Sequence, residues 1–537
     1  MQSGIQALEI VFLLLLLFVV VFGVIAERLK VPYPIVLVIA GLLLSFVPGI
    51  PKVALNPDVI FFVILPPLLY SGAWLTSWRE FSYNLVSICF LAFGLVTFTV
   101  LGVAWTVPLI LPGFDWRVGL VLGAVVAPTD TIAATSIARR IGLPKRIVDI
   151  LEGESLLNDA SALLALEFAF AVLAGGHAVT LGGGLLRLAY LICAGIAVGL
   201  VVGEIVHLVE HRIDDAPIEV ALSILTPYVA YLAAQAINAS GVLAVVACGL
   251  YLSRKSSHFF SPTVRLQAWA VWDSFTFILN GLVFVLIGLQ LPYVVEAIRG
   301  YSLPVLVGYG LSFTGFLIVL RLIWLFPGAY VANLIRRRVL GQDEPFPKLR
   351  QIFVVGWTGM RGVISLAAAI ALPQAIAGRE FQQRDMIIFL AFCVILVTLV
   401  LQGLTLPPLI RKLGLAVAPL RDCEEEEARR AILEAAVENL QLSRNKSEPA
   451  LAEVYDDLAQ HYRRRLAALG RKEVEQDGAD AVAIHDRFVS LSRELLQVER
   501  ETAVRLRNER RINDEVLRQI ERELDLSEAQ LAAKARK

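Results

Sequence analysis

Two short runs bring carboxylates, hydroxyls and an amide together inside otherwise apolar sequence. The first reads Val125-Val126-Ala127-Pro128-Thr129-Asp130-Thr131, and the second reads Leu151-Glu152-Gly153-Glu154-Ser155-Leu156-Leu157-Asn158-Asp159-Ala160. In the second, Ser155 and Asp159 are four apart and share one helix face, while Glu154 and Asn158 share the neighbouring face. Two acids and two neutral polar groups therefore point into one arc of a helix, and lipid cannot face that arc. In the first run, Pro128 has no N–H and clashes with the preceding turn, so the helix is expected to break there. The freed carbonyls need partners, and a cation is one such partner. A third run, Gly356-Trp357-Thr358-Gly359-Met360-Arg361-Gly362, sets one positive charge between glycines that permit a second break. A guanidinium pairs bidentately with a carboxylate. The expected structural pair is Arg361 with Glu154, which leaves Asp159 for ions. The bland readings are an ordinary proline kink and a polar network with no transport role.

These residues need elements that hold them in an apolar medium, and the composition calls for one. Of 537 residues, 57% are hydrophobic, with a mean hydropathy of +0.69. Residues 1–420 hold 26 Lys/Arg and 22 Asp/Glu, about 11% charged against roughly 25% in ordinary domains. Residues 421–537 hold 22 Lys/Arg and 26 Asp/Glu, about 41% by the same measure. The net charge of zero thus cancels between a region suited to lipid and one suited to water. A ruler of about 20 apolar residues per span yields about thirteen segments, near 6–26, 33–49, 57–75, 84–110, 117–138, 147–174, 182–207, 218–236, 241–254, 267–291, 303–335, 352–377 and 384–412. The run from Ile5 to Ala26 lacks a basic leader and reads as the first span rather than a cleaved signal.

Alternate loops carry the basic residues, among them Arg28, Lys30, Arg79, Arg139, Arg140, Lys145, Arg146, Arg254, Lys255 and Arg336 to Arg338. Basic loops stay cytoplasmic, so the N-terminus is expected outside and the C-terminus inside. Residues 1–415 then form the transmembrane domain and 416–537 a helical cytoplasmic tail. The tail is rich in Arg/Glu pairs three or four apart; a solvated helix and a regulatory or oligomerising domain both fit it. The five cysteines are scattered and the six histidines have no ligand spacing, so no structural metal or disulfide framework is expected. No phosphate-binding GxxxxGK[ST] run and no catalytic constellation is present. Asp273, Asn280, Arg321, Glu167 and Glu204 are further polar intrusions, read here as helix–helix contacts or near-interface charges rather than ion ligands.

Pro128-Thr129-Asp130, Gly153 to Asp159 and Gly359-Met360-Arg361-Gly362, in that order, resemble the NhaP-type sodium/proton exchangers, the electroneutral branch of the cation/proton antiporters. The resemblance covers roughly residues 1–415. It implies an all-α polytopic membrane protein, with thirteen helices in two inverted six-helix repeats whose broken helices cross at the midplane, and usually a homodimer. It also implies that Asp159 binds the ion, that Ser155 and the Thr129 carbonyl are ligands, and that Asp130 lies close by. Asn158 stands where electrogenic relatives carry a second Asp, which implies one proton per cation. The chain departs from some relatives at Ser71 and Gly72, where those carry an acid after the aromatic. The expected function is Na⁺/H⁺ exchange at the cell (inner) membrane, with Li⁺ as a second substrate and a role in pH homeostasis. It needs no cofactor, no enzymatic step and no nucleic-acid partner. K⁺/H⁺ exchange is the alternative, and a cation channel a more distant one.

Overall fold

The computed structural model describes residues 2–47, 57–111, 113–130, 132–174, 181–213, 215–259, 262–298, 301–342, 345–376, 379–416 and 421–444, with short pieces between 455 and 528. It is almost wholly helical, and it falls into two units, Met1–Ala418 and Pro419–Lys537.

The first unit begins with α1 (Gln2–Leu29), α2 (Tyr33–Leu44), α3 (Pro57–Leu75) and α4 (Trp78–Ile110). Next come α5 (Trp116–Val126), α6 (Ile132–Ile141) and α7 (Lys145–Leu173). Then follow α8 (Leu181–Glu210), α9 (Ala216–Ala236), α10 (Gly241–Phe259), α11 (Pro262–Leu289) and the short α12 (Leu291–Ala297). The unit closes with α13 (Leu303–Arg338), α14 (Leu349–Trp357), α15 (Val363–Ile370) and α16 (Arg384–Lys412). A two-residue antiparallel hairpin, Ala375–Ile376 with Arg379–Glu380, precedes α16.

Among the described residues, nine helices are long and apolar enough to cross a membrane. The broken pairs α5/α6 and α14/α15 escape that ruler because each is interrupted, as the proline and glycines predict. The first chain leaves helix after Val126 and resumes it at Ile132; the second leaves after Trp357 and resumes at Val363. The ninth expected segment is longer than its apolar run, since α10 continues to Phe259.

Lipid gives helices no hydrophobic reason to associate, so close backbone approach matters. The α2/α11 crossing shows this. A methyl group on Gly41 would run into the Val285 carbonyl, and one on Gly288 into the Val38 carbonyl. Three π-type turns interrupt the long helices, at Ile60–Ile64, Phe90–Leu95 and Thr398–Gln402. The carbonyls near them find side chains: Val63 accepts from the Tyr228 hydroxyl at 2.9 Å, and Ala92 accepts from Ser161 of α7.

The second unit contains α17 (Arg421–Arg444) and helical pieces that carry ion pairs such as Arg444–Asp456 at 2.8 Å and Arg500–Glu528 at 2.9 Å. Much of the tail, including most of the charge-paired stretch from Arg505 to Leu526, lies outside the described residues.

Overpacking a tight crossing costs about 1–3 kcal/mol. Gly288→Val is therefore expected to lower the melting temperature in detergent by several degrees. Gly315→Ala, where a new methyl meets nothing within 4 Å, should leave it unchanged. Equal melting of the two variants would refute the packing argument.

Candidate functional site

The two breaks cross each other. The Asp130 N–H donates to the Met360 carbonyl at 2.8 Å, and the Ser365 hydroxyl donates to the Pro128 carbonyl at 3.4 Å. Where α5 and α14 end, last-turn carbonyls lose their intrahelical donors and carry the negative end of the helix dipole. Arg361 is placed there. Its Nε donates to the Val126 carbonyl at 3.2 Å and its Nη1 to the Gly359 carbonyl, while its own N–H is taken by Thr398 Oγ1 at 3.1 Å. Where α6 and α15 begin, the dipole favours an anion, and Asp130 sits there against Gly362, whose missing side chain makes the room.

The expected Arg361–Glu154 pair is not what forms. Glu154 is fully buried, and a different guanidinium holds it bidentately: Arg321 Nη1 to Oε1 at 2.6 Å and Arg321 Nη2 to Oε2 at 3.0 Å. Arg321 also donates to the Val355 carbonyl at 3.1 Å, and Gly359 leaves space for its side chain. The reason is the dipole geometry above. Arg361 is rooted in the break and satisfies the carbonyls beside it, whereas Arg321 reaches Glu154 from a continuous helix. Arg321 belongs to the site and was read from sequence as an ordinary helix–helix contact. One signal could have found it: its position near the middle of the long apolar helix α13, where an unpaired charge is costly.

The remaining polar residues converge on Thr129. Its hydroxyl donates to Glu154 Oε1 at 3.0 Å and accepts from Asn158 Nδ2 at 2.6 Å. Its carbonyl accepts from Ser155 Oγ at 3.2 Å and, more weakly, from Asn158 Nδ2 at 3.4 Å. Thr129, Ser155 and Asn158, three of the residues named above for the ion site, thus lie together, with Glu154 tied into the same network. Asn158 Oδ1 is buried with no hydrogen-bond partner among the described residues. Asp159 follows on the same helix, 5% exposed, and makes no hydrogen bond or ion pair among the described residues. Asp130 is half-buried and within electrostatic reach of it. At the departure from some relatives, Ser71 turns its hydroxyl to the Leu68 carbonyl at 2.9 Å, and Gly72 lies against Leu156 of α7.

Removing one partner of a buried ion pair costs about 3–5 kcal/mol because the other charge is stranded. A double-mutant cycle of Glu154→Gln with Arg321→Met should show a coupling above about 1 kcal/mol. The cycle of Glu154→Gln with Arg361→Met should give a clearly smaller value. Unfolding in detergent measures both, and the reverse order would restore the pairing expected from sequence.

Comparison with known proteins gives the family. Residues 13–412 match the family described as "Sodium/hydrogen exchanger, transmembrane". An uncharacterized Na⁺/H⁺ exchanger of Mycobacterium tuberculosis is 34% identical over 99% of this chain and 97% of its own length. A sodium, potassium, lithium and rubidium/H⁺ antiporter of Bacillus pumilus is 32% identical over 82% of this chain and 66% of its own. The fold resembles that of the sodium proton antiporter MjNhaP1 from Methanocaldococcus jannaschii, with a TM-score of 0.60 and 21% identity over 77% of this chain and 99% of that one. The chain therefore belongs to the sodium/hydrogen exchanger family, as an NhaP-type antiporter.

Proposed function

We propose that this antiporter exchanges Na⁺, with Li⁺ as a second substrate, for H⁺ in a one-for-one electroneutral cycle, with Asp159 as the shared carboxylate. The observation that carries this reading is a buried Asp159 without a hydrogen-bond or ion-pair partner among the described residues, beside a crossing whose other charges have partners of their own. One carboxylate holds a proton or a monovalent cation, not both, so the two fluxes compete for the same oxygens. An empty charged site in mid-membrane is costly, so the carrier moves when loaded. Ser155, the Thr129 carbonyl and the Asn158 amide oxygen are the further ligands, hard oxygens suited to a small cation, and Asp130 supplies negative potential at the crossing.

In this reading the first unit has thirteen spans in two inverted six-helix repeats, with the broken helices meeting at the midplane of a homodimer's protomers. Alternating access moves the site between the two sides. The N-terminus is outside, the C-terminus and the tail of residues 416–537 are cytoplasmic, and the exchange serves pH homeostasis. K⁺/H⁺ exchange is the second reading. It draws on the potassium in the name of the Bacillus pumilus relative and on Ser71 and Gly72 standing where some relatives carry an acid.

Purified protein in liposomes with an inside-acid gradient tests this. External Na⁺ and Li⁺ should dissipate the gradient, and Asp159→Ala should abolish the response. A pulse of K⁺ alone that works as well would favour the second reading. Clamping the membrane potential with valinomycin and K⁺ should leave the Na⁺ rate within about twofold; a steep dependence on potential would rule out the electroneutral cycle, since each net charge moved is worth about 2.3 kcal/mol per 100 mV. If Asp159→Ala matches the wild type, Asp159 is not the carrier.

A further inference from the structure

The transport site does not account for Asp273. This acid lies within a candidate span, Val264–Glu296, yet its side chain is exposed. It has no ion pair among the described residues. Ionisable groups within spans face the bundle interior or a water-filled cavity rather than lipid. Its helix carries further polar residues beside it: spacing of seven returns to one face, so Asp273 and Asn280 share one face, and Gln267 and Ser274 share the neighbouring one. Asn280 is buried, whereas Gln267, Asp273 and Ser274 are exposed.

From Asp273, the face runs to buried Asn280 and towards the helix crossing. Tyr33, the first residue of α2, packs its ring on Phe277 at 5.4 Å between centroids. Its hydroxyl faces the Asn280 side chain and lies within electrostatic reach of both Asp273 and Asp130. The groups thus form a series from exposed to enclosed: Asp273, then Tyr33 with Asn280, then half-buried Asp130, then Asp159. Asp273 precedes Asn280 by seven residues, about 10 Å along a helix rising 1.5 Å per residue. It stands on the side of the helix start, next to the loops that carry Arg28, Lys30, Arg254 and Lys255. In the orientation proposed above, that side is cytoplasmic.

We propose that Asp273 is the cation-recruiting residue of the cytoplasmic access path, drawing cations from water to the Tyr33–Asn280 pair and on to Asp130. This rests on the exchange reading and its orientation. A negative group at the mouth of a low-dielectric cleft raises the local concentration of cations and their capture rate. It does not alter the loaded site, so it acts on apparent affinity from one face and not on turnover. The effect weakens with ionic strength, because salt screens an exposed charge.

Everted and right-side-out membrane vesicles separate the two faces, with Na⁺ as the probe. In everted vesicles, where the cytoplasmic face meets the medium, Asp273→Asn should raise the apparent KM for Na⁺ about threefold or more and leave the maximal rate unchanged. Asp273→Glu should restore the wild-type KM, which a merely structural contact would not do. The difference should shrink when about 0.3 M choline chloride is added, and it should be absent in right-side-out vesicles. An unchanged KM, an equal rise from both faces, or a lower maximal rate at unchanged KM would each overturn the proposal. A wild type that exchanges no cation would instead overturn the exchange reading on which it stands.

Discussion

Backbone groups released in an apolar interior must find partners inside the protein, and the crossing of the two broken helices meets this constraint. Val126, Pro128, Gly359 and Met360 expose carbonyls at the crossing, and each accepts a bond from a residue of the other broken chain or from the Arg361 side chain. Once those bonds are made, the identities of the neighbouring side chains follow. A guanidinium belongs where helix C-termini meet, a carboxylate where N-termini meet, and glycine where the two chains touch. The ion pair Glu154–Arg321 then braces the crossing from behind, linking α7 to α13 through groups that are almost fully buried.

Polar placement in this core is therefore a matter of geometry as much as of chemistry. Thr129 makes this plain. Its hydroxyl and carbonyl together engage Glu154, Asn158 and Ser155, three residues of one helix. A helix-bound threonine would offer a single hydroxyl along its own axis; the break frees both its hydroxyl and its carbonyl for the neighbour. The same principle operates at smaller scale in the π-type turns, where Ser161 reaches Ala92 and Tyr228 reaches Val63.

What the sequence made legible was local. Pro128 and the glycines around Arg361 announce breaks because proline removes a donor and glycine removes a side chain wherever the fold puts them. The four-residue spacing within Glu154 to Asp159 fixes which side chains share a face of α7. The pairing of Glu154 was not legible, since spacing along one chain carries no information about which of two buried arginines approaches from another helix. Arg361 had the nearer claim by motif, but the carbonyls beside it were visible only once the helices crossed. The exposure of Asp273 was not legible for a related reason: whether an acid in an apolar run meets lipid, protein or water depends on the neighbours of its helix. The fold class was legible because apolar length is a property of single segments. The tail's composition allowed helix without saying what its helices pack against.

The exchange of partners between the two arginines has a consequence for the charge count of the core. Glu154 cancels Arg321 within a pair of its own. Arg361, bound to neutral carbonyls, and Asp130 then bring one charge of each sign to the crossing. With both aspartates ionised, the five groups sum to one net negative charge. In the one-for-one cycle proposed above, a single proton on Asp159 would bring that sum to zero, and so would a single monovalent cation. The two loaded forms of that cycle would then be electrically alike to the surrounding bilayer, and the empty form would carry a charge that the apolar medium must solvate.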